Sequence, residues 1–214
     1  MPDTHPPLRA EHLADRVILG AGLCLSMVGT GWLLALINAE KSSAFQGWSG
    51  AIYGIALILM YGCATVYHWR PDERPRSFMR ILDHCAIFVL IAGTYTPFTL
   101  TNLSAPWAKD TLFLMWGLVG IGIIFKLLWI GRSDRLSIFL YVAMGWSALM
   151  VIGPLSKSVP PAVFRLIVIG GVLYTVGAVV YACKGLPFRL PVWHLFVIAA
   201  SAVHYAAVAT YLVS

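Results

Sequence analysis

The chain has 214 residues, of which 59% are hydrophobic and only 11% are charged. Soluble domains carry about 25% charged residues, so this composition excludes an ordinary soluble domain and indicates an integral membrane protein. The formal net charge of +6 does not indicate a nucleic-acid-binding protein, because the basic residues are spread among loops and form no basic face interleaved with aromatic residues.

Seven apolar stretches are long enough to cross a bilayer, which takes about 20 helical residues. In chain order they are Val17 to Asn38, Gly47 to His68, Leu82 to Asn102, Thr111 to Ile130, Leu136 to Leu155, Ala162 to Cys183 and Val192 to Val213. Residues 1–16 are polar and are expected to be a short cytoplasmic segment, and residues 17–214 are expected to form a single transmembrane domain. The pattern predicts an all-α polytopic membrane protein, a bundle of seven transmembrane helices.

The lysine and arginine residues near the span ends predict the orientation, since cytoplasmic loops carry the excess of positive charge. Eleven of these residues fall on one side of the predicted bundle, including Arg9, Arg16 and four arginines between residues 70 and 80, and only four fall on the other side. The distribution predicts a cytoplasmic N-terminus and a C-terminus outside. An odd number of spans also places the two termini on opposite sides of the membrane.

Ionisable side chains inside the spans are candidates for function, because charge is expensive in hydrocarbon. His68 ends the second span, Asp83 begins the third, and His194 lies near the start of the seventh, so all three share the predicted cytoplasmic face. Two imidazoles and a carboxylate are ligand types of a zinc site, and zinc-activated water suits hydrolysis. A purely structural role remains the alternative, since histidines at helix ends can bond terminal carbonyls and an aspartate at a helix start is favoured by the helix dipole.

Three further ionisable residues have simpler interpretations. His84 is rotated by about 100° from Asp83 on the helix, so we expect it beside the site and not on the same metal. His204 lies about 15 Å deeper than His194, and we expect a buried histidine that is hydrogen-bonded within the bundle. Lys126 is near the cytoplasmic end of its span, and we expect its side chain to extend to the interface without a function.

Several segments resemble the bacterial hemolysin III family, which is related to the progestin and adipoQ receptors and, more distantly, to alkaline ceramidases. They are Tyr67-His68, the run LDHCAIFVLIAGTYTPF from Leu82 to Phe98, and Trp193-His194-Leu-Phe-Val followed by His204-Tyr205. The resemblance implies a multi-pass protein of the bacterial cell (inner) membrane with zinc near the cytoplasmic face. It implies that His68 and His194 are ligands, that Asp83 holds the water, and that the substrate is a lipid amide such as ceramide.

Two positions depart from the pattern that the resemblance implies. The relatives commonly have a serine four residues before the second-helix histidine, where this chain has Ala64, and a further histidine where this chain has Leu190. The expected zinc site is therefore incomplete. Three alternatives remain open: Asp83 binds the metal directly, the site binds it weakly, or the site has lost it.

The sequence leaves three functions in competition. The first is a zinc-dependent hydrolase of lipid amides, and the second is a non-catalytic lipid-sensing or membrane-homeostasis protein, which Ala64 and Leu190 favour. Pore formation ranks last, because no predicted span carries a polar stripe at helical spacing. The expected partners are membrane lipids and not nucleic acid, and the sequence does not determine an oligomeric state.

Overall fold

The computed structural model describes residues 9–69, 76–128, 134–183 and 185–213. Within these ranges all regular secondary structure is helical. Four of the eleven basic residues that predict the cytoplasmic side lie outside the described residues, namely Arg70, Arg74, Arg132 and Lys184.

The helices in chain order are α1 (Arg9–Ala39), α2 (Ala44–Trp69), α3 (Arg76–Leu100), α4 (Pro106–Leu128), α5 (Asp134–Trp146), α6 (Ile152–Ser158), α7 (Pro161–Ala182) and α8 (Arg189–Val213). A 3₁₀ turn at Ser147–Val151 joins α5 to α6, so the two helices share one apolar segment. In the described part of the chain, seven helical segments are long and apolar enough to cross a membrane. The predicted polytopic seven-helix fold is confirmed.

The first helix begins earlier than the apolar pattern predicted. α1 starts at Arg9, eight positions before Val17, where the first apolar run begins. Glu11 lies in its first turn, where the helix dipole favours a negative charge. The polar residues that precede the span therefore continue its helix, and they carry one side chain of the site described below.

The fifth span is interrupted where the sequence predicted one continuous helix. The Tyr95 hydroxyl accepts a hydrogen bond from the Ala148 backbone N–H at 2.8 Å and lies 2.6 Å from the Gly145 carbonyl, to which it donates. These contacts satisfy backbone groups that a change from α-helical to 3₁₀ geometry leaves without their usual partners. The hydroxyl of Tyr95 thus stabilises the break from the neighbouring α3.

Contacts between the helices run in a circuit. α1 packs against α2 and α8, α2 packs against α3, and α7 packs extensively against α8. α5 closes the circuit through sparse contacts with α3 and α7, and α4 packs on α3. Because α5 packs loosely, space remains between it and α3, α7 and α8.

The tightly packed part of the bundle lies around α1, α2 and α8. Leu19, Leu33, Tyr53, Val208 and Leu212 are almost completely buried there. Large apolar side chains such as those of Val28, Trp48 and Met150 are exposed on the outside of the bundle, as expected for surfaces that face lipid.

Candidate functional site

One carboxylate bridges two imidazoles where α1, α2 and α8 meet. Asp15 Oδ2 lies 2.7 Å from His68 Nδ1, and Asp15 Oδ1 lies 2.6 Å from His194 Nδ1. The centroids of the two imidazole rings are 5.1 Å apart, and the rings are nearly perpendicular at 88°. We call His68 and His194, held by Asp15, the bridged histidine pair.

The bridge fixes the tautomers of both rings. The Asp15 side chain is only 5% exposed and that of His194 only 9%, so the contacts are largely shielded from water. An ionised carboxylate can only accept hydrogen bonds, and each Nδ1 must therefore carry a hydrogen. In a neutral ring with its hydrogen on Nδ1, the other nitrogen, Nε2, carries the available lone pair. This is the arrangement in which a carboxylate orients an imidazole for metal binding through its other nitrogen.

Asp15 was not among the residues selected from the sequence, because residues 1–16 were interpreted as a polar segment. A signal for it exists in the spacing of the buried residues of α1, which are Asp15, Leu19, Gly22, Ser26, Thr30, Leu33 and Ile37. These positions recur every three or four residues and form a single stripe along the helix. An aspartate in phase with such a stripe faces the bundle interior, where a charged group needs a partner.

Asp83 belongs to the same region without joining the bridge. It lines the interior cavity together with His68 and His194, and its carboxylate is close enough to both imidazoles and to Asp15 for their charges to interact. Among the described residues it makes no side-chain hydrogen bond or ion pair. The structure therefore brings two of the three predicted site residues, His68 and His194, into ring contact and places Asp83 on the adjoining wall.

His84 is bonded to a lysine. The Lys126 Nζ lies 2.7 Å from His84 Nδ1, and the Tyr141 hydroxyl donates to the His84 backbone carbonyl at 3.0 Å. Lys126 is only 7% exposed, so the expectation that its side chain extends to the interface is wrong. The imidazole supplies a hydrogen-bond partner inside the protein, which makes the buried position tolerable for the amine.

An interior cavity of about 390 Å³ extends away from the bridged histidine pair. Its walls are mainly apolar and come largely from α3, α5, α7 and α8, including Ile87, Leu90, Val142 and Val197. Ala64 and Leu190, the two positions that depart from the pattern implied by the family resemblance, also line it. The volume is in the range of about 300–1,000 Å³ that is usual for small-molecule sites.

A polar cluster lies deeper along the cavity. The Ser201 hydroxyl is 3.1 Å from the Tyr61 hydroxyl and 2.7 Å from the Tyr174 hydroxyl. His204 donates from Nε2 to the Ile167 carbonyl at 3.0 Å, as expected for a histidine that is hydrogen-bonded within the bundle. A Cβ at Gly170 would overlap the His204 ring, so a glycine is needed for this close approach. The tyrosines and the serine were not predicted from the sequence as site residues.

The donor chemistry of the site is compatible with zinc in part. The bridged histidine pair offers two imidazole nitrogens, and the third protein ligand would fall to Asp83, a carboxylate on the same cavity wall. Over residues 9–69, 76–128, 134–183 and 185–213, however, no group of three His, Cys, Asp or Glu side chains stands in position to hold a metal ion. Zinc binding by His68, His194 and Asp83 therefore stays a prediction.

Comparisons with known proteins agree on one family. The sequence model of a family described as Haemolysin-III related matches residues 18–205. The chain is 36% identical to a "Hemolysin-3 homolog" of Bacillus subtilis over 95% of each chain, and 36% identical to "Hemolysin-3" of Bacillus cereus over 94% of this chain and 91% of that protein. It is also 26% identical to the human "Monocyte to macrophage differentiation factor" over 97% of this chain and 87% of that protein. No solved structure shows a significant match.

Proposed function

This chain belongs to the Haemolysin-III related family, and we propose that it binds a lipid in its interior cavity and hydrolyses an amide bond of that lipid beside the bridged histidine pair. The observation that carries the proposal is the position of this pair. Ionisable groups within a membrane span are costly, and here three of them converge at the end of a largely apolar cavity. An acyl chain suits the apolar walls, and the polar end suits the bond to be cleaved.

Each residue has a proposed role that follows from its contacts. Asp15 holds both imidazoles in one tautomer, and His68 and His194 would bind zinc through Nε2 because their Nδ1 atoms are engaged. Bound zinc would supply a Lewis acid that polarises the amide carbonyl. Asp83 lies on the adjoining wall and has no hydrogen-bond partner among the described residues, so it is the proposed base.

The proposed reaction consumes one water per amide bond. Asp83 takes a proton from the water as the water oxygen bonds to the amide carbon. The carbon–nitrogen bond then breaks, the proton passes to the leaving nitrogen, and the products are a fatty acid and an amine. The proposed location is a bacterial cell (inner) membrane, and the seven membrane-length apolar helices together with the similarity to two bacterial proteins support it.

A second candidate function is lipid sensing without catalysis. Ala64 and Leu190 line the cavity at the two positions where the family resemblance implies a serine and a histidine. Their apolar side chains offer no metal ligand and extend the apolar wall toward the bridged histidine pair. This observation favours a protein that retains the lipid cavity and has lost the reaction.

Product analysis distinguishes the two functions. Purified full-length protein, supplied with zinc, is incubated with ceramide or N-oleoylethanolamine, and released fatty acid is measured by mass spectrometry. The hydrolase is expected to release fatty acid, and Asp83→Asn is expected to lower the rate at least about 100-fold, because general base catalysis contributes about that much. Asp110→Asn, an exposed carboxylate on α4, is the control. Lipids that bind and remain intact would contradict catalysis and support sensing.

A further inference from the structure

Arg80 lies near the predicted cytoplasmic start of the third span. It lies on α3, partly buried, and lines the interior cavity together with Asp83 and His84, which follow it by three and four residues. Residues at these spacings lie on one face of a helix. In the part of the chain that the structure describes, the Arg80 guanidinium makes no hydrogen bond or ion pair.

An anionic ligand would suit the positive charge of Arg80. A guanidinium has five donors and stays charged, so beside an apolar cavity it is best satisfied by an anion. Arg80 lies near the start of its span, where the side chain can reach the lipid surface, and it also lines the interior cavity. The Arg80 side chain therefore borders the space in which a lipid would lie.

The Lys126–His84 contact adds a positive charge close to this part of the cavity wall. A protonated Lys126 amine has only donors, so at 2.7 Å it donates to His84 Nδ1. His84 lines the cavity beside Arg80 and Asp83. The Lys126 amine lies against His84 and is close enough to Asp83 for their charges to interact, so the positive charges stand near the carboxylate at this part of the cavity.

We propose that Arg80 binds the anionic group, a phosphate or a carboxylate, of a lipid whose acyl chain occupies the cavity. The inference rests on the lipid-binding part of the proposed function and adds lipids with an anionic headgroup to the ligands that the cavity accepts. Arginine suits this role because its planar fork can donate two parallel hydrogen bonds to a phosphate or a carboxylate. A lipid contributes both the anionic group and the acyl chain, so an anion without an acyl chain is expected to bind weakly.

A matched pair of lipids tests the inference. 1-Oleoyl lysophosphatidate and 1-monoolein have the same acylglycerol and differ only in the phosphate, and both lack the amide bond. Their dissociation constants are measured with purified full-length protein in detergent by tryptophan fluorescence, for the wild type, Arg80→Gln, Arg80→Lys and Arg165→Gln. Arg165 is exposed on α7 and does not line the cavity, so it controls for general attraction of anions to the protein.

The wild type and Arg165→Gln are expected to bind lysophosphatidate at least about tenfold more tightly than monoolein. Arg80→Gln is expected to bring the two affinities within about twofold by weakening only lysophosphatidate, and Arg80→Lys is expected to retain part of the preference. Millimolar inorganic phosphate is expected not to displace lysophosphatidate, and displacement would identify a free-anion site instead.

The outcomes separate this inference from the proposed function. Equal binding of both lipids by the wild type, or an undiminished preference in Arg80→Gln, would overturn the headgroup site and leave the lipid cavity intact. Failure of both lipids to bind would overturn the lipid cavity and the headgroup site together. If Arg80→Gln does not fold, the wild-type comparison and Arg80→Lys still decide the question.

Discussion

Asp15 and His194 are separated by 179 residues in the chain, yet Asp15 Oδ1 and His194 Nδ1 lie 2.6 Å apart in a largely buried contact. The second oxygen of the same carboxylate reaches His68 at 2.7 Å. One side chain thus joins the first helix of the bundle to the second and the last. The bridge, the cavity beside it and the Lys126–His84 contact can each be tested by substitution.

Asp15→Asn is expected to destabilise the protein by about 3 kcal/mol, the usual cost of removing one partner from a buried ionic contact. An amide has one acceptor oxygen, and its nitrogen is a donor, so it cannot accept hydrogen bonds from two imidazole N–H groups through its two terminal atoms. The measurement is the free energy of unfolding in mixed micelles. Asp110→Asn, on the exposed side of α4, should change it by less than about 0.5 kcal/mol. Equal stability of the two variants would show that the bridge contributes nothing.

The Lys126–His84 contact is expected to be energetically coupled. Lys126→Met and His84→Leu should each destabilise the protein, because each leaves a polar group of the other residue without this partner. The double variant should be more stable than the sum of the two losses predicts, by about 1–3 kcal/mol. Lys157→Met, at an exposed position in α6, is the control for loss of a lysine. Additive losses in the cycle would contradict a direct Lys126–His84 contact.

Gly171→Leu is expected to fill part of the cavity and to weaken lipid binding by at least about tenfold. Gly171 lines the cavity, and a Cβ built there has no neighbouring atom within 4 Å, so the larger side chain should cause no clash. Leucine also has a better helix propensity than glycine, by about 0.8–1 kcal/mol, and the protein should stay folded. Binding is measured with monoolein.

The control for this substitution is Gly117→Leu. Gly117 lies on α4, also has no atom within 4 Å of its Cβ position, and does not line the cavity. It should leave monoolein binding unchanged. Undiminished binding by Gly171→Leu would mean that the lipid does not occupy this cavity.

Hydrophobicity and helix length were enough to predict the seven spans, because each span must satisfy its own backbone hydrogen bonds and expose apolar residues to lipid. They also placed His68 and His194 on one membrane face, since the number of spans between two helix ends determines which side each end is on. The ring contact itself depends on packing of α1 against α2 and α8, which no local pattern contains.

Asp15 was missed for a different reason. Hydropathy marks where an apolar run begins at Val17, whereas the helix continues through polar residues to Arg9.

The cavity could not be predicted either, because it results from the sparse packing of α5 on α3 and α7 and not from the composition of any single helix. The partner of Lys126 follows from the packing of α4 on α3, which depends on the tertiary fold.

Metal content is the most direct test of the central claim that His68 and His194 form one zinc site. Full-length protein is purified in detergent without chelators, and zinc is measured per chain for the wild type, His68→Ala, His194→Ala and His12→Ala, an exposed histidine on α1. We expect about one zinc per chain in the wild type and in His12→Ala, and a loss of zinc in the other two variants. A folded wild-type preparation without zinc, even after incubation with zinc, would contradict this claim.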